Sequence, residues 1–204
     1  HYLHLSRGVR CNPGQVIVGA GNIWRGRQGG SMDRVRADQM GMLATTINAL
    51  ALEETFKQCG LSAVAMTAVE MNAFAEQYTP RAAVAALEEG KVVIFGCGLG
   101  APFFSTDTAG ALRAAEIGAD ALLLAKNIDG IYTADPKKDP NAVRYSQLTY
   151  AKVLEDNLKA TDITAMALAM DNDMTMVCFG LDEENSIVRV VRGEAIGTTV
   201  KNEF

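Results

Sequence analysis

The sequence predicts a three-layer α/β/α sandwich around a mostly parallel central sheet. Two observations carry that prediction. Short apolar runs alternate along the chain with longer segments of helical period, the pattern of strands joined by crossover helices. The most distinctive polar or glycine-rich stretches each follow directly on one of those runs. Sheets of this class bind ligands outside the carboxyl ends of their strands, so the ends after Val18, Phe95 and Ala125 are expected on one rim.

In chain order, residues 1–14 show no clear period. Residues 15–19 are an apolar run entering a glycine-rich turn, read as a buried strand. A polar loop follows at 22–31. Residues 33–59 read as one long helix, because Met40, Leu43, Ile47 and Leu50 recur at helical spacing and Gly60 stands where a C-terminal cap belongs. Its small and Met-rich residues (Met40, Met42, Ala44, Ala49) suit a subunit interface or the core equally. Strands are expected at 61–67, 91–95, 121–125 and 174–179, and an edge strand at 196–200. Helices are expected at 81–89, 107–117, 149–155 and 161–170. Residues 135–141, with two prolines and several charges, read as a surface loop.

Composition narrows the function. The 204 residues suffice for one domain, and 49% hydrophobic with 21% charged residues is a globular balance. No apolar run is long enough to span a bilayer, and no secretory leader is in view. The net charge of −5 and the lack of a basic stripe argue against nucleic acid as the main partner. Arg25, Arg27, Arg34 and Arg36 cluster beside glycines, which suits one small phosphorylated ligand. Cys11, Cys59, Cys97 and Cys178 are widely spaced and form no metal knot. A reduced, cytoplasmic setting is expected.

Three segments carry candidate chemistry. Residues 19–26, Gly-Ala-Gly-Asn-Ile-Trp-Arg-Gly, combine glycines that let backbone approach a phosphate with the planar fork of Arg25. The same glycines also suit an ordinary tight turn. Residues 96–108, Gly-Cys-Gly-Leu-Gly-Ala-Pro-Phe-Phe-Ser-Thr-Asp-Thr, follow a strand and open a helix whose start favours an anion. Phe103 and Phe104 there can be site or core. Residues 126–136 begin with Lys126 at a strand's carboxyl end and contain Tyr132 and Asp135, which can meet a base and a ribose or metal; an Asp129-Gly130 turn with a solvated Asp-Pro is the plainer alternative. Asp38, early in the long helix, can hold ribose hydroxyls or face water. There is no Walker P-loop, no protein-kinase signature and no zinc-protease motif, and the only histidines are His1 and His4.

In this order the segments resemble bacterial uridylate kinase, a branch of the amino acid kinase superfamily. The resemblance runs from about residue 15 to 200. It includes Met-Gly-Met-Leu-Ala-Thr-Thr within the long helix, Pro-Phe-Phe-Ser-Thr-Asp-Thr at 102–108, Asp-Gly-Ile-Tyr-Thr-Ala-Asp-Pro at 129–136, Met-Asp-Asn at 170–172 and Arg-Gly-Glu-Ala-Ile-Gly-Thr at 192–198. It implies transfer of the γ-phosphoryl group of ATP to UMP in pyrimidine nucleotide biosynthesis. It implies UMP contacts at Ala20, Asp38, Leu99, Gly100, Ala101, Pro102, Phe103, Phe104, Ser105 and Thr106. ATP contacts are implied at Gly21, Arg25, Lys126, Tyr132 and Asp135. Arg25 and Lys126 are implied to neutralise charge, and Asp107 to orient a loop or the metal. Mg²⁺ accompanying ATP, a homohexamer, and GTP and UTP as effectors are further implications. A single domain is expected, with a UMP-side half over about 15–117 and an ATP-side half over about 118–204.

The sequence departs from that family in three ways. The opening strand Lys-Leu-Ser-Gly-Glu, which grips ATP phosphates in the family, is not found, so the N-terminal strand is expected to be missing. Leu99 and Ala101 stand where the family usually has Thr and Asn, and Ala20 where it often has Gly. These departures leave open a non-catalytic nucleotide-binding or storage protein on the same fold. A kinase of a small carboxylate or carbamate is a weaker alternative by fold analogy.

Overall fold

The computed structural model describes residues 14–25, 30–158 and 161–204, together with the backbone of 2–5. Cys11, Arg27 and His1 lie outside the described residues. Strands β1 (Tyr2–Leu5), β2 (Gln15–Ile17), β3 (Ala63–Thr67), β4 (Glu76–Gln77), β5 (Val92–Gly96), β6 (Ala121–Lys126), β7 (Gln147–Thr149), β8 (Thr175–Gly180) and β9 (Thr198–Lys201) form one sheet in the order β4-β3-β5-β2-β1-β6-β8-β9-β7. Helices α1 (Arg34–Gln58), α2 (Pro80–Glu88), α3 (Thr106–Glu116), α4 (Tyr150–Glu155), α5 (Ile163–Asp171) and α6 (Ser186–Val191) cover it.

The strand alternation decides the layers. Ile17, Val64, Met66, Val93, Phe95, Leu122, Leu124, Met176 and Cys178 point to one face, against buried residues of α2, α3, α4 and α5. The intervening residues Val16, Val18, Ala63, Ala65, Val92 and Ile94 point to the other, against Ala49 of α1. Further along that second face, Leu123, Ala125 and Phe179 meet Val190 of α6. Both faces are therefore covered, which is why these strands read as continuous apolar runs. The first cluster draws on both halves of the chain.

The long helix begins and ends as its sequence says. The Asp33 side chain accepts from the Arg36 amide at 3.1 Å as N-cap, and Lys57 stands in the last turn. Its buried residues are small or polar: Ala37, Ala44, Thr45, Thr46 and Ala49. A Cβ on Gly96 would lie 3.2 Å from both the Ala49 Cβ and the Thr46 Cα, so β5 and α1 approach too closely for larger residues. Met40, Leu43 and Ile47, whose spacing marked the helix, are exposed.

Four features differ from expectation. A strand, β1, lies within residues 1–14, where none was expected, between β2 and β6 and antiparallel to both. Its four residues are too short a window for a period to show. The expected edge strand, β9, is interior: it runs antiparallel to β8 and parallel to β7, and β7 is the edge. Strand β4, the opposite edge, has only two residues. Helix α6 forms although four of its six residues are β-branched; its packing on β6 and β8 outweighs their helix penalty. The pairing directions give β2, β5 and β6 the same sense, so their carboxyl ends do share one rim.

Candidate active site

The first loop of the rim follows β2. The Ile23 and Trp24 amides both donate to the Ala20 carbonyl at 2.8 Å, closing a tight turn. Arg25 folds back over it, its Nε donating to the Gly21 carbonyl at 3.3 Å. A Cβ on Gly21 would sit 3.3 Å from that same nitrogen, so glycine gives the guanidinium its place. Asn48 of α1 anchors the loop by donating to the Gly19 carbonyl at 2.7 Å and exchanging amide hydrogen bonds with Asn22. The Trp24 indole donates to the Ala37 carbonyl at 2.8 Å. Of the other basic residues of the cluster, Arg34 and Arg36 lie along α1, bonded to Asp38 and Gln39.

The second loop follows β5. Cys97 and Phe103 adopt left-handed backbone (φ 64° and 73°), as do Gly98 and Gly100. That conformation costs a residue with a side chain about 1–2 kcal/mol, and α1 holds both positions. The Cys97 amide donates to Thr45 Oγ1, and the Phe103 amide donates to Asp38 Oδ2, each at 2.8 Å. Asp38 also accepts from Arg34 Nε at 2.8 Å, and the Arg34 guanidinium lies 5.5 Å from the Phe103 ring centre. Asp38 thus fastens the loop to the helix. Phe103 and Phe104 are 64% and 52% exposed, so neither belongs to the core. Leu99 packs partly against the main core cluster.

The third component joins β6 to α3. Lys126 Nζ lies 2.5 Å from Asp107 Oδ2, and both side chains are largely buried. Thr161 Oγ1 also donates to Asp107. Asp107 sits in the first turn of α3, where the helix dipole favours a negative charge. A Cβ on Gly19 would lie 3.8 Å from Thr106 Oγ1, so the first loop and this helix start are neighbours. Ala20, Gly21, Arg25, Asp38, residues 99–106, Asp107 and Lys126 therefore border one rim. Tyr132 turns aside to donate to Asp129, at 2.8 Å, which Arg144 also pairs. Asp135 makes its contacts inside its own exposed turn, accepting from the Lys137 amide and facing Lys138.

Asp162, which the sequence reading passed over, ties the two sides together. It caps α5, accepting from the Thr164 amide at 2.8 Å, and accepts from the hydroxyls of Ser105 and Thr108 on α3. Burial pushes its carboxyl up. The hydroxyl and amide hydrogen bonds outweigh that and hold it below the ordinary aspartate value. The one available signal was Thr-Asp immediately before a helix, an N-cap pattern. A carboxyl depressed on folding stabilises the fold above its unfolded value and gives that up as pH falls through the folded one. Asp162→Asn should therefore flatten the acid sensitivity of folding below about pH 4, read as urea midpoints across a pH series. An unchanged slope would rule Asp162 out as its source.

Among the described residues, the two buried cysteines serve packing. Burial pushes the Cys178 thiol up to about 11 and raises Cys97 as well, so neither is a thiolate at neutral pH. Among the described residues, no three His, Cys, Asp or Glu side chains cluster as metal ligands, and no helix is long and apolar enough to cross a membrane.

The amino acid kinase family model matches residues 7–180. Among solved structures, a UMP kinase from Bacillus anthracis superposes with a TM-score of 0.89 at 37% identity, covering 93% of this chain and 80% of that one. A UMP kinase from Ureaplasma parvum gives 0.87 at 38% identity, covering 92% and 81%. A uridylate kinase from Archaeoglobus fulgidus gives 0.68 at 26% identity, covering 91% and 83%.

Proposed function

Because the chain belongs to the amino acid kinase family, and within it to the UMP kinases, we propose that it transfers the γ-phosphoryl group of ATP to UMP, giving UDP and ADP. The observation that carries this is the shared rim of β2, β5 and β6. The first glycine loop, over which Arg25 folds, neighbours the α3 start, where Asp107 holds Lys126. Phosphoryl transfer needs little covalent help from a protein. It needs two phosphates held in line and their charge neutralised. Residues 99–106 and Asp38 would seat UMP, and Lys126 and Arg25 would face the transferred group. Tyr132 and Asp135 would lie on the ATP side.

A magnesium ion held among ATP phosphates needs only one or two protein carboxylates. The donor set fits a metal that enters with ATP better than a resident one, since no three-ligand cluster occurs among the described residues. Asp107 is the rim carboxylate that would hold it, and the bound ion would supply further charge neutralisation. A coupled assay with ATP, Mg²⁺ and UMP should show UMP-dependent ADP formation. ADP release that ignores UMP, with no UMP binding by calorimetry, would sink the reading.

Place in pyrimidine nucleotide synthesis, a reduced cytoplasmic setting, GTP and UTP as effectors, a homohexamer, and UMP-side and ATP-side halves at about 15–117 and 118–204 complete the proposal from the same kinship. For assembly there is a supporting observation. Leu43 and Ile47 of α1 are 54% and 57% exposed, one turn apart, with Met40 beside them. An apolar stripe on a covered sheet's outer helix suits a subunit contact. Light scattering should give a mass several times the 21.8 kDa of one chain. Leu43→Glu with Ile47→Glu should lower that mass with an unchanged circular dichroism spectrum; a monomeric parent would contradict the assembly.

A further inference from the structure

The second loop of the rim carries no side-chain hydrogen-bonding atom from Leu99 to Phe104: the residues are Leu, Gly, Ala, Pro, Phe and Phe. Leu99 is partly packed into the core, so it turns away some of what little it has. The backbone of this stretch is also partly committed. The Gly100 amide donates to the Cys97 carbonyl at 2.9 Å, the Phe103 amide to Asp38, and Pro102 has no amide hydrogen. What the loop does offer is aromatic surface, since Phe103 and Phe104 are both more than half exposed.

We infer that this chain selects its phosphate acceptor by ribose, phosphate and the flat face of the base, that residues 99–104 do not read the base's hydrogen-bonding edge through side chains, and that Asp38, Ser105 and Thr106 serve the ribose and phosphate. The inference rests on the UMP kinase reading, which seats the base on this loop. Uracil and cytosine differ only at that edge, where one offers a carbonyl and a ring N–H and the other an amino group and a bare ring nitrogen. A site that hydrogen-bonds such groups rejects an analogue lacking them by about 10⁴-fold or more, whereas an apolar site separates close analogues by only about 10–200-fold. Stacking on an aromatic ring is tolerant, because every base has a π-face. The acceptor class is therefore pyrimidine ribonucleoside 5′-monophosphates at large, with UMP one member.

The test measures kcat/KM, and dissociation constants by calorimetry, for UMP, CMP and the 5′-monophosphate of pyrimidin-2-one riboside. The last lacks both the 4-oxygen and the ring N–H. All three should fall within about 100-fold of one another. In Ala101→Asn, which sets a carboxamide on the loop, UMP should gain about 10-fold over the pyrimidinone nucleotide, the factor that one added hydrogen bond supplies. UMP bound and turned over with CMP and the pyrimidinone nucleotide each rejected by more than about 10³-fold overturns this inference and leaves the kinase reading standing. No binding of any of the three overturns both.

Discussion

Lys126→Met should lower kcat by about 10²–10³-fold, the cost of removing one preorganised charge from a transition state, while UMP affinity changes only a few-fold. Methionine keeps most of the apolar stem and deletes the ammonium. Lys126 stands at the carboxyl end of β6, and Asp107 at the start of α3 holds its Nζ at 2.5 Å. The two come from consecutive elements, so the sheet and the helix that follow each other in the chain fix the charge without a ligand present. A cation fixed in advance costs no reorganisation when the transferred phosphoryl group develops charge. The variant also leaves Asp107 with Thr161 as a hydrogen-bond donor, so part of the local network survives. Steady-state kinetics with ATP and UMP varied separately, beside a thermal melt, separates the two effects. A kcat within about fivefold of the parent would remove Lys126 from the chemistry, since that is under the roughly 1.4 kcal/mol a tenfold change represents.

Gly197→Ala should destabilise the fold by about 3–5 kcal/mol or prevent its accumulation, among the largest single-residue effects to expect. Gly197 has φ 71°, a region alanine enters at a cost. Its new methyl would overlap the Cys178 carbonyl oxygen and lie 2.9 Å from the Phe179 Cα and Cβ. Those atoms belong to β8, an interior strand between β6 and β9, so they cannot swing aside as a long side chain could. Gly193 has a similar positive φ, at 83°, but open space around it; Gly193→Ala is the control and should cost no more than about 1–2 kcal/mol, the backbone term alone. Equal urea midpoints for the two variants would contradict the crowding argument. The second glycine of the Arg-Gly-Glu-Ala-Ile-Gly-Thr stretch is thus required by packing.

Much of this architecture was legible because local signals agreed with tertiary ones. The Gly60 stop and the apolar runs at 15–19, 91–95 and 121–125 needed no knowledge of partners. What stayed hidden depends on distant residues. α6 forms from β-branched residues because β6 and β8 offer it a surface. The three residues of β7 mean little without β9 beside them. On the rim, Lys126 and Asp107 could be singled out from their places at a strand end and a helix start. The work of Asp38 could not, because its partner, the Phe103 amide, lies 65 residues away. Asp162 was overlooked for the same reason: its hydroxyl partners Ser105 and Thr108 sit more than fifty residues earlier.

The proposed reaction brings two phosphates together on this rim for transfer. ³¹P NMR of the chain with ATP, Mg²⁺ and UMP tests it most directly, since it follows every phosphorus at once. The account predicts that the ATP γ and UMP signals decline together while UDP and ADP appear in equal amounts, with no inorganic phosphate. Loss of ATP to ADP and inorganic phosphate while UMP stays untouched would contradict it.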